Sequence, residues 1–189
     1  KVITTPHVMS DFYKNSSETI LQGLEAVRSE LKVQNINMEI DAAAEYYIDY
    51  DFEQKIGKEK FLTFGTNYIL VELSFVEAPK NLFDIIFKLQ LENYKVVLAH
   101  PERYHYFQMK DYEEFVNRGV LLQINCLSLI GYYSPQIQNK IQDLIAQNMV
   151  SFLGTDCHNV HHAALYEKCQ TKKAWHDLHN SGKLLNSTL

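Results

Sequence analysis

Short apolar runs that stop at a metal-ligand type of residue constrain this chain most. Val96-Val97-Leu98-Ala99 leads into His100-Pro101-Glu102-Arg103-Tyr104, and Met149-Val150-Ser151-Phe152-Leu153 into Gly154-Thr155-Asp156-Cys157-His158-Asn159. Lys1-Val2-Ile3-Thr4-Thr5 ends in Pro6-His7, and Tyr68-Ile69-Leu70-Val71 in Glu72. Runs this short, rich in β-branched and large apolar residues and closed by Gly or Pro, read as buried parallel strands. The C-terminal tips of such strands form the mouth of an α/β sheet or barrel, where that architecture builds its active sites. Histidines, an aspartate and a glutamate converging on one rim predict a metal site, with phosphate or carbonyl chemistry following from it.

Between these runs lie amphipathic stretches. Ser16 or Ser17 caps a helix through about Leu31, with Ile20, Leu21, Leu24, Val27 and Leu31 at helical spacing. Further helices are predicted over Phe52–Ile56, Asn81–Leu91, Tyr112–Arg118 (with Gly119 as its cap) and Pro135–Asn148, and a closing helix over Ala163–Leu178. Asn37–Ala44, ending in Glu45, and Val120–Asn125 complete the strands. Strand–helix alternation at this spacing predicts a parallel α/β barrel or doubly wound sheet. No repeat, low-complexity tract or linker interrupts it, so residues 1–189 read as a single domain.

A chain of 189 residues, 46% hydrophobic and 12% aromatic, is long and apolar enough to bury a real core. No apolar run approaches the roughly 20 residues of a membrane span, and no signal-peptide pattern opens the sequence. The formal net charge of −5 argues against nucleic acid as a partner. Cys126, Cys157 and Cys169 are an odd number without C-x-x-C spacing, which reads as a reducing compartment. A soluble cytoplasmic domain with no membrane insertion is the expectation, its oligomeric state open.

Taken in order and with fitting gaps, Thr4-Thr5-Pro6-His7, Ala44-Glu45, Glu72-Leu73-Ser74-Phe75, Ala99-His100-Pro101-Glu102-Arg103-Tyr104 and Thr155-Asp156-Cys157-His158-Asn159 resemble the polymerase-and-histidinol-phosphatase (PHP) superfamily. Within it they look like the manganese-dependent protein-tyrosine phosphatases of bacterial capsule and exopolysaccharide loci, over nearly the whole chain. The resemblance implies a distorted (β/α)7 barrel of the TIM-like kind. It makes His7, Glu45, Glu72, His100, Asp156 and His158 metal ligands for Mn²⁺ (or Fe or Zn), about three ions in the complete domain, more than the two-metal template. It makes Arg103 the contact to the phosphate; Arg103 and Asp156 are the expected catalytic residues, and Tyr104 and Tyr13, which follow strand tips, are expected beside the substrate. By the same resemblance the substrate is the tyrosine-phosphorylated tail of a bacterial kinase that controls polysaccharide export.

Two departures accompany the resemblance. The family carries an His-x-His at the end of a first strand, and nothing before Lys1 supplies it here. The expectation is therefore a barrel lacking its first βα unit, of reduced stability and activity, with an unpaired edge beside Lys1–Thr5 that invites association. Where relatives often offer a second arginine after Asn159, this chain has Val160-His161-His162, so a protonated histidine would have to take over part of the phosphate grip.

Independently of any family, imidazole plus carboxylate suits Mn²⁺, Fe²⁺ or Zn²⁺, and such a cluster lowers the pKa of its water toward neutrality. Direct attack by that water is the expected mechanism. A cysteine phosphatase is excluded, because C-x5-R cannot occur when Arg28, Arg103 and Arg118 all precede Cys126. Cys157 is expected to be a packed thiol facing away from the ligands. Asp11, Tyr46 and Tyr47 follow strand tips and join Tyr13 and Tyr104 as candidate pocket residues. Bland readings compete: Arg103 can pair with Glu102, Glu45 can give way to Glu39 or Asp41, and His161, His162, His176 and His179 can be an ordinary helix surface. Three alternative functions stay open, namely a phosphatase for a small ester such as histidinol phosphate, a metal-dependent amidohydrolase, and a non-catalytic remnant or binding module.

Overall fold

In the computed structural model, which describes residues 1–189, Pro6 divides what reads as one N-terminal strand into β1 (Val2–Thr4) and β2 (His7–Val8). Proline has no amide to offer a ladder. Its carbonyl still accepts from the Glu45 amide at 3.0 Å. The predicted strand Asn37–Ala44 is split in the same place, into β3 (Ile40–Ala42) and β4 (Glu45–Tyr47). β1 runs parallel to β3, and β2 to β4. As a result His7 and Glu45 lie inside strands rather than beyond their tips.

The chain forms two compact units, Lys1–Val96 and Val97–Leu189. In the first, β4 also pairs with β5 (Tyr68–Glu72), parallel and buried along its whole length. Helix α1 (Ser17–Val33) starts at a reciprocal cap between Ser16 and Thr19 and buries Ile20 and Leu24. Helix α2 (Tyr50–Lys55) is capped by Asp49, whose second carboxylate oxygen accepts from the Ser10 amide and hydroxyl. Helix α3 (Leu82–Leu91) turns Leu82, Ile85, Ile86 and Leu89 inward, the i, i+3, i+4, i+7 stripe of its sequence.

In the second unit β6 (Lys95–Ala99), which begins just before the division, β7 (Leu121–Asn125) and β8 (Val150–Gly154) run parallel in that order. Helix α4 (Met109–Asn117) stops before Gly119, which takes the left-handed conformation at φ 77°. Helix α5 (Pro135–Ala146) has Ser134 as cap and a proline in its first turn. The predicted closing helix is two helices, α6 (Val160–Gln170) and α7 (Lys173–Asn180). The Thr171 hydroxyl donates back to the Lys168 carbonyl at 2.8 Å, and Lys172 is extended. Such a back-bond offers the chain an alternative to the helical ladder. Near the C-terminus, the Asn186 amide donates to the Leu153 carbonyl and accepts from its N–H, each at 3.0 Å, so one side chain does for β8 what another strand would do. No helix is long and apolar enough to cross a membrane.

Candidate functional site

Parallel register brings the first group together. His7 stands opposite Glu45 across β2 and β4, and Glu72 opposite Tyr47 across β4 and β5. One ligand atom from each of His7, Glu45 and Glu72 lies within 4.8 Å of the other two, and His7 Nδ1 is 3.2 Å from a Glu72 oxygen. Glu45 is 5% exposed and Glu72 6%. Buried carboxylates that share a site are stabilised by a cation between them. One imidazole nitrogen and two carboxylate oxygens are the donor set that Mn²⁺, Fe²⁺ and Zn²⁺ accept, so these residues fit a bound divalent cation. The Tyr13 ring stacks on His7 at 5.2 Å, on a tight turn closed by paired backbone bonds between Met9 and Tyr13. Asn15 steadies the other side by donating to the His7 carbonyl at 2.8 Å.

A cleft of about 430 Å³ in the same unit is a different feature. It is lined by Val8 and Tyr46, the strand neighbours of His7 and Glu45, and by Phe52 and Phe61. Successive strand residues face opposite ways, so Val8 and Tyr46 look into this cleft where His7 and Glu45 do not, while Tyr13 and Asn15 border both. Tyr46, expected near the site, is buried there and accepts from the Leu62 amide at 2.8 Å.

The second unit gathers Arg103, Asp156 and His158. After β6 the backbone enters the left-handed region at His100 (φ 35°) and makes one 3₁₀ turn over Pro101–Arg103. His100 is 2% exposed, and its amide donates to the Gln123 carbonyl at 2.7 Å. A second left-handed residue, Asp156 (φ 48°), re-aims the chain two residues beyond β8. Non-glycine residues held in that region mark places where packing imposes a conformation. Arg103 Nη1 lies 3.2 Å from Asp156 Oδ2, and its guanidinium sits 4.6 Å from the centre of the Tyr133 ring. His158 Nδ1 lies 2.9 Å from the Asp156 carbonyl. A carbonyl only accepts, so Nδ1 carries a proton, and in the neutral ring the lone pair is on Nε2, the form a metal ligand needs.

Several expectations need correcting. Glu102, the ordinary competitor for Arg103, is fully buried and instead accepts from the Asn125 amide (2.9 Å) and the Ser128 hydroxyl (2.7 Å); burial pushes its carboxyl up. Tyr104 is fully buried among His100, Tyr106 and Phe107 and presents no face to a substrate. Cys157 is exposed rather than packed, because β8 has already ended at Gly154 and strand alternation no longer governs it. His162, one of the two histidines that follow Asn159, has its Nδ1 3.4 Å from the His158 amide nitrogen and its Nε2 3.3 Å from the Tyr132 hydroxyl. Asp11 is an exposed loop residue.

Sequence reasoning missed Asn125 and Tyr133. Asn125 Nδ2 is 2.7 Å from Asp156 Oδ2 and 3.3 Å from the Tyr133 hydroxyl. The signal was present, since Asn125 is a polar residue at the tip of a predicted strand.

Parallel βα units carrying a buried His–Glu–Glu group define an α/β protein with a candidate divalent-metal site. The profile of the family described as capsular polysaccharide synthesis, CpsB/CapC, matches residues 1–175, and the chain belongs to that family. It is 29% identical over 162 residues to the tyrosine-protein phosphatase YwqE of Bacillus subtilis (84% of this chain), and 25% identical over 162 residues to CapC of Staphylococcus aureus. The chain spans 64% of the length of each of these relatives. Its fold also matches a structure from work on YwqE and on CpsB of Streptococcus pneumoniae, described there as unique metal-dependent tyrosine phosphatases. The TM-score is 0.81 at 27% identity, over 97% of this chain and 79% of that one.

Proposed function

We propose that this protein is a metal-dependent phosphotyrosine-protein phosphatase. The observation that carries the reading is the buried group of His7, Glu45 and Glu72, whose ligand atoms lie within 4.8 Å of one another in a family whose relatives include a tyrosine-protein phosphatase. His100, Asp156 and His158 are proposed as further metal ligands, with Mn²⁺ as the ion (Fe²⁺ or Zn²⁺ as substitutes) and about three ions in the complete domain, against the two of the common template. The metal supplies an activated water near neutral pH and neutralises phosphoryl charge. The finer fold proposed with this function is the distorted (β/α)7 barrel of the PHP superfamily.

The roles of the chain's own residues follow from their surroundings. The Arg103 guanidinium, braced by Asp156 and the Tyr133 ring, is the phosphate-binding cation; a planar fork suits tetrahedral oxygens better than an ammonium does. His158 is set by the Asp156 carbonyl in the tautomer that coordinates through Nε2. Tyr13, half exposed and stacked on His7, offers a ring edge to an aromatic substrate. The substrate proposed is the tyrosine-phosphorylated tail of a cytoplasmic kinase governing capsule or exopolysaccharide synthesis.

The test compares kcat/KM for a phosphotyrosyl peptide and for histidinol phosphate, each with Mn²⁺ and with chelator. Faster turnover of the peptide, abolished by chelator and restored by Mn²⁺, is the expected result. Preference for histidinol phosphate would move the reading to a small-ester phosphatase, and chelator-resistant turnover would overturn it.

A further inference from the structure

Arg103 meets the Asp156 carboxylate and the Tyr133 ring. Both meet on one buried side chain. Asn125, 0% exposed at the end of β7, directs its amide nitrogen at Asp156 Oδ2 (2.7 Å) and at the Tyr133 hydroxyl (3.3 Å). The amide cannot be reversed, because that would set its carbonyl oxygen against a carboxylate oxygen. Its backbone amide is pinned in turn by Glu102 Oε1, which also takes the Ser128 hydroxyl. Asn125, Asp156, Arg103 and Tyr133 therefore close a four-membered ring of contacts, with Asn125 as its most deeply buried corner.

We propose that Asn125 is a positioning residue for this site, fixing the Asp156 carboxylate and the Tyr133 ring and, through both, the aim of Arg103. Asp156 Oδ2 receives two donors, Asn125 and Arg103, whereas Oδ1 has the His158 ring nitrogen at 3.4 Å. Oδ2 is thus taken up by the protein, and Oδ1 is the oxygen Asp156 would offer to a metal. Partners that orient a ligand in this way are worth about 10–100-fold in metal affinity or activity. The inference takes the phosphate-binding role of Arg103 and the ligand role of Asp156 from the proposed function; the metal arm of its test reads binding and needs no turnover.

Three variants separate the outcomes. Asn125→Asp keeps the shape and loses the donor, Asn125→Ala loses the donor without adding charge, and Tyr133→Phe keeps the ring under Arg103 and cuts only its tether. Mn²⁺ affinity is read by calorimetry, inorganic phosphate by inhibition, and folding by thermal melting. Both Asn125 variants should bind Mn²⁺ about 10–100-fold more weakly and lose kcat by more than KM changes. Tyr133→Phe should weaken phosphate inhibition several-fold with Mn²⁺ affinity unmoved. If Asn125→Asp does not fold, Asn125→Ala and Tyr133→Phe still decide. Mn²⁺ and phosphate affinities within twofold of wild type in the folded variants would overturn the proposal, as would a loss confined to Asn125→Asp, which would mean charge repulsion alone. Wild-type protein that binds Mn²⁺ but turns over no phosphotyrosyl peptide would sink the phosphatase reading and leave the Asn125 arm standing.

Discussion

Arg103 owes its aim to its neighbours: a carboxylate oxygen at 3.2 Å on one side and an aromatic face at 4.6 Å on the other. Lysine could make the ion pair but neither the planar stack nor a two-pronged grip. Arg103→Lys should lower kcat/KM for a phosphotyrosyl peptide by about 10–100-fold, the worth of one or two charge-assisted hydrogen bonds; steady-state kinetics on protein with an unchanged melting temperature checks this. The cysteines differ as sharply. Burial pushes the Cys126 thiol up to about 12, and Cys169 is also buried with its thiol raised, while Cys157 is exposed. At pH 8 iodoacetamide should label Cys157 alone in the native protein, as peptide mass spectrometry would report. Labelling should leave most of the activity, because the mechanism proposed needs no thiolate.

The helices were legible because their stripes are long enough to average out local exceptions, as with Leu82, Ile85, Ile86 and Leu89. Strand positions were legible too, from runs such as Val96 to Ala99. The breaks were not. Pro6 interrupts a strand whose pairing partner is about 40 residues away, so the matching split beside Glu45 leaves no local trace, and Ala42-Ala43-Ala44 gives no pattern to place it. The two-helix ending was hidden in Thr171 and Lys172, neither of them a strong breaker. For the site, His7, Glu45 and Glu72 could be named from sequence, but their mutual distance could not, since it depends on register across three strands. Tyr104 misled because position after a strand tip does not say which way a ring turns. The Asn186 clasp on Leu153 was likewise unreadable, being a contact 33 residues apart. Asn186→Ala should cost about 1–3 kcal/mol, since it strands two backbone groups of β8; urea unfolding should report a lower midpoint with an unchanged slope.

At the scale of the molecule, a metal held by buried ligands is linked to stability. A ligand that binds only the folded state adds stability by mass action, about 2.7 kcal/mol at one hundred times its dissociation constant. Stripping the protein with chelator should therefore lower its melting temperature as well as its activity, and Mn²⁺ should restore both. The decisive measurement is the melting temperature of wild type and Glu72→Gln, each metal-free and with excess Mn²⁺. Without metal, Glu72 keeps the His7 ring nitrogen at 3.2 Å, and Glu72→Gln should stay within about 1 kcal/mol of wild type. With Mn²⁺ wild type should gain stability and Glu72→Gln little. Equal Mn²⁺ shifts in both proteins would contradict the claim that His7, Glu45 and Glu72 exist to hold a metal.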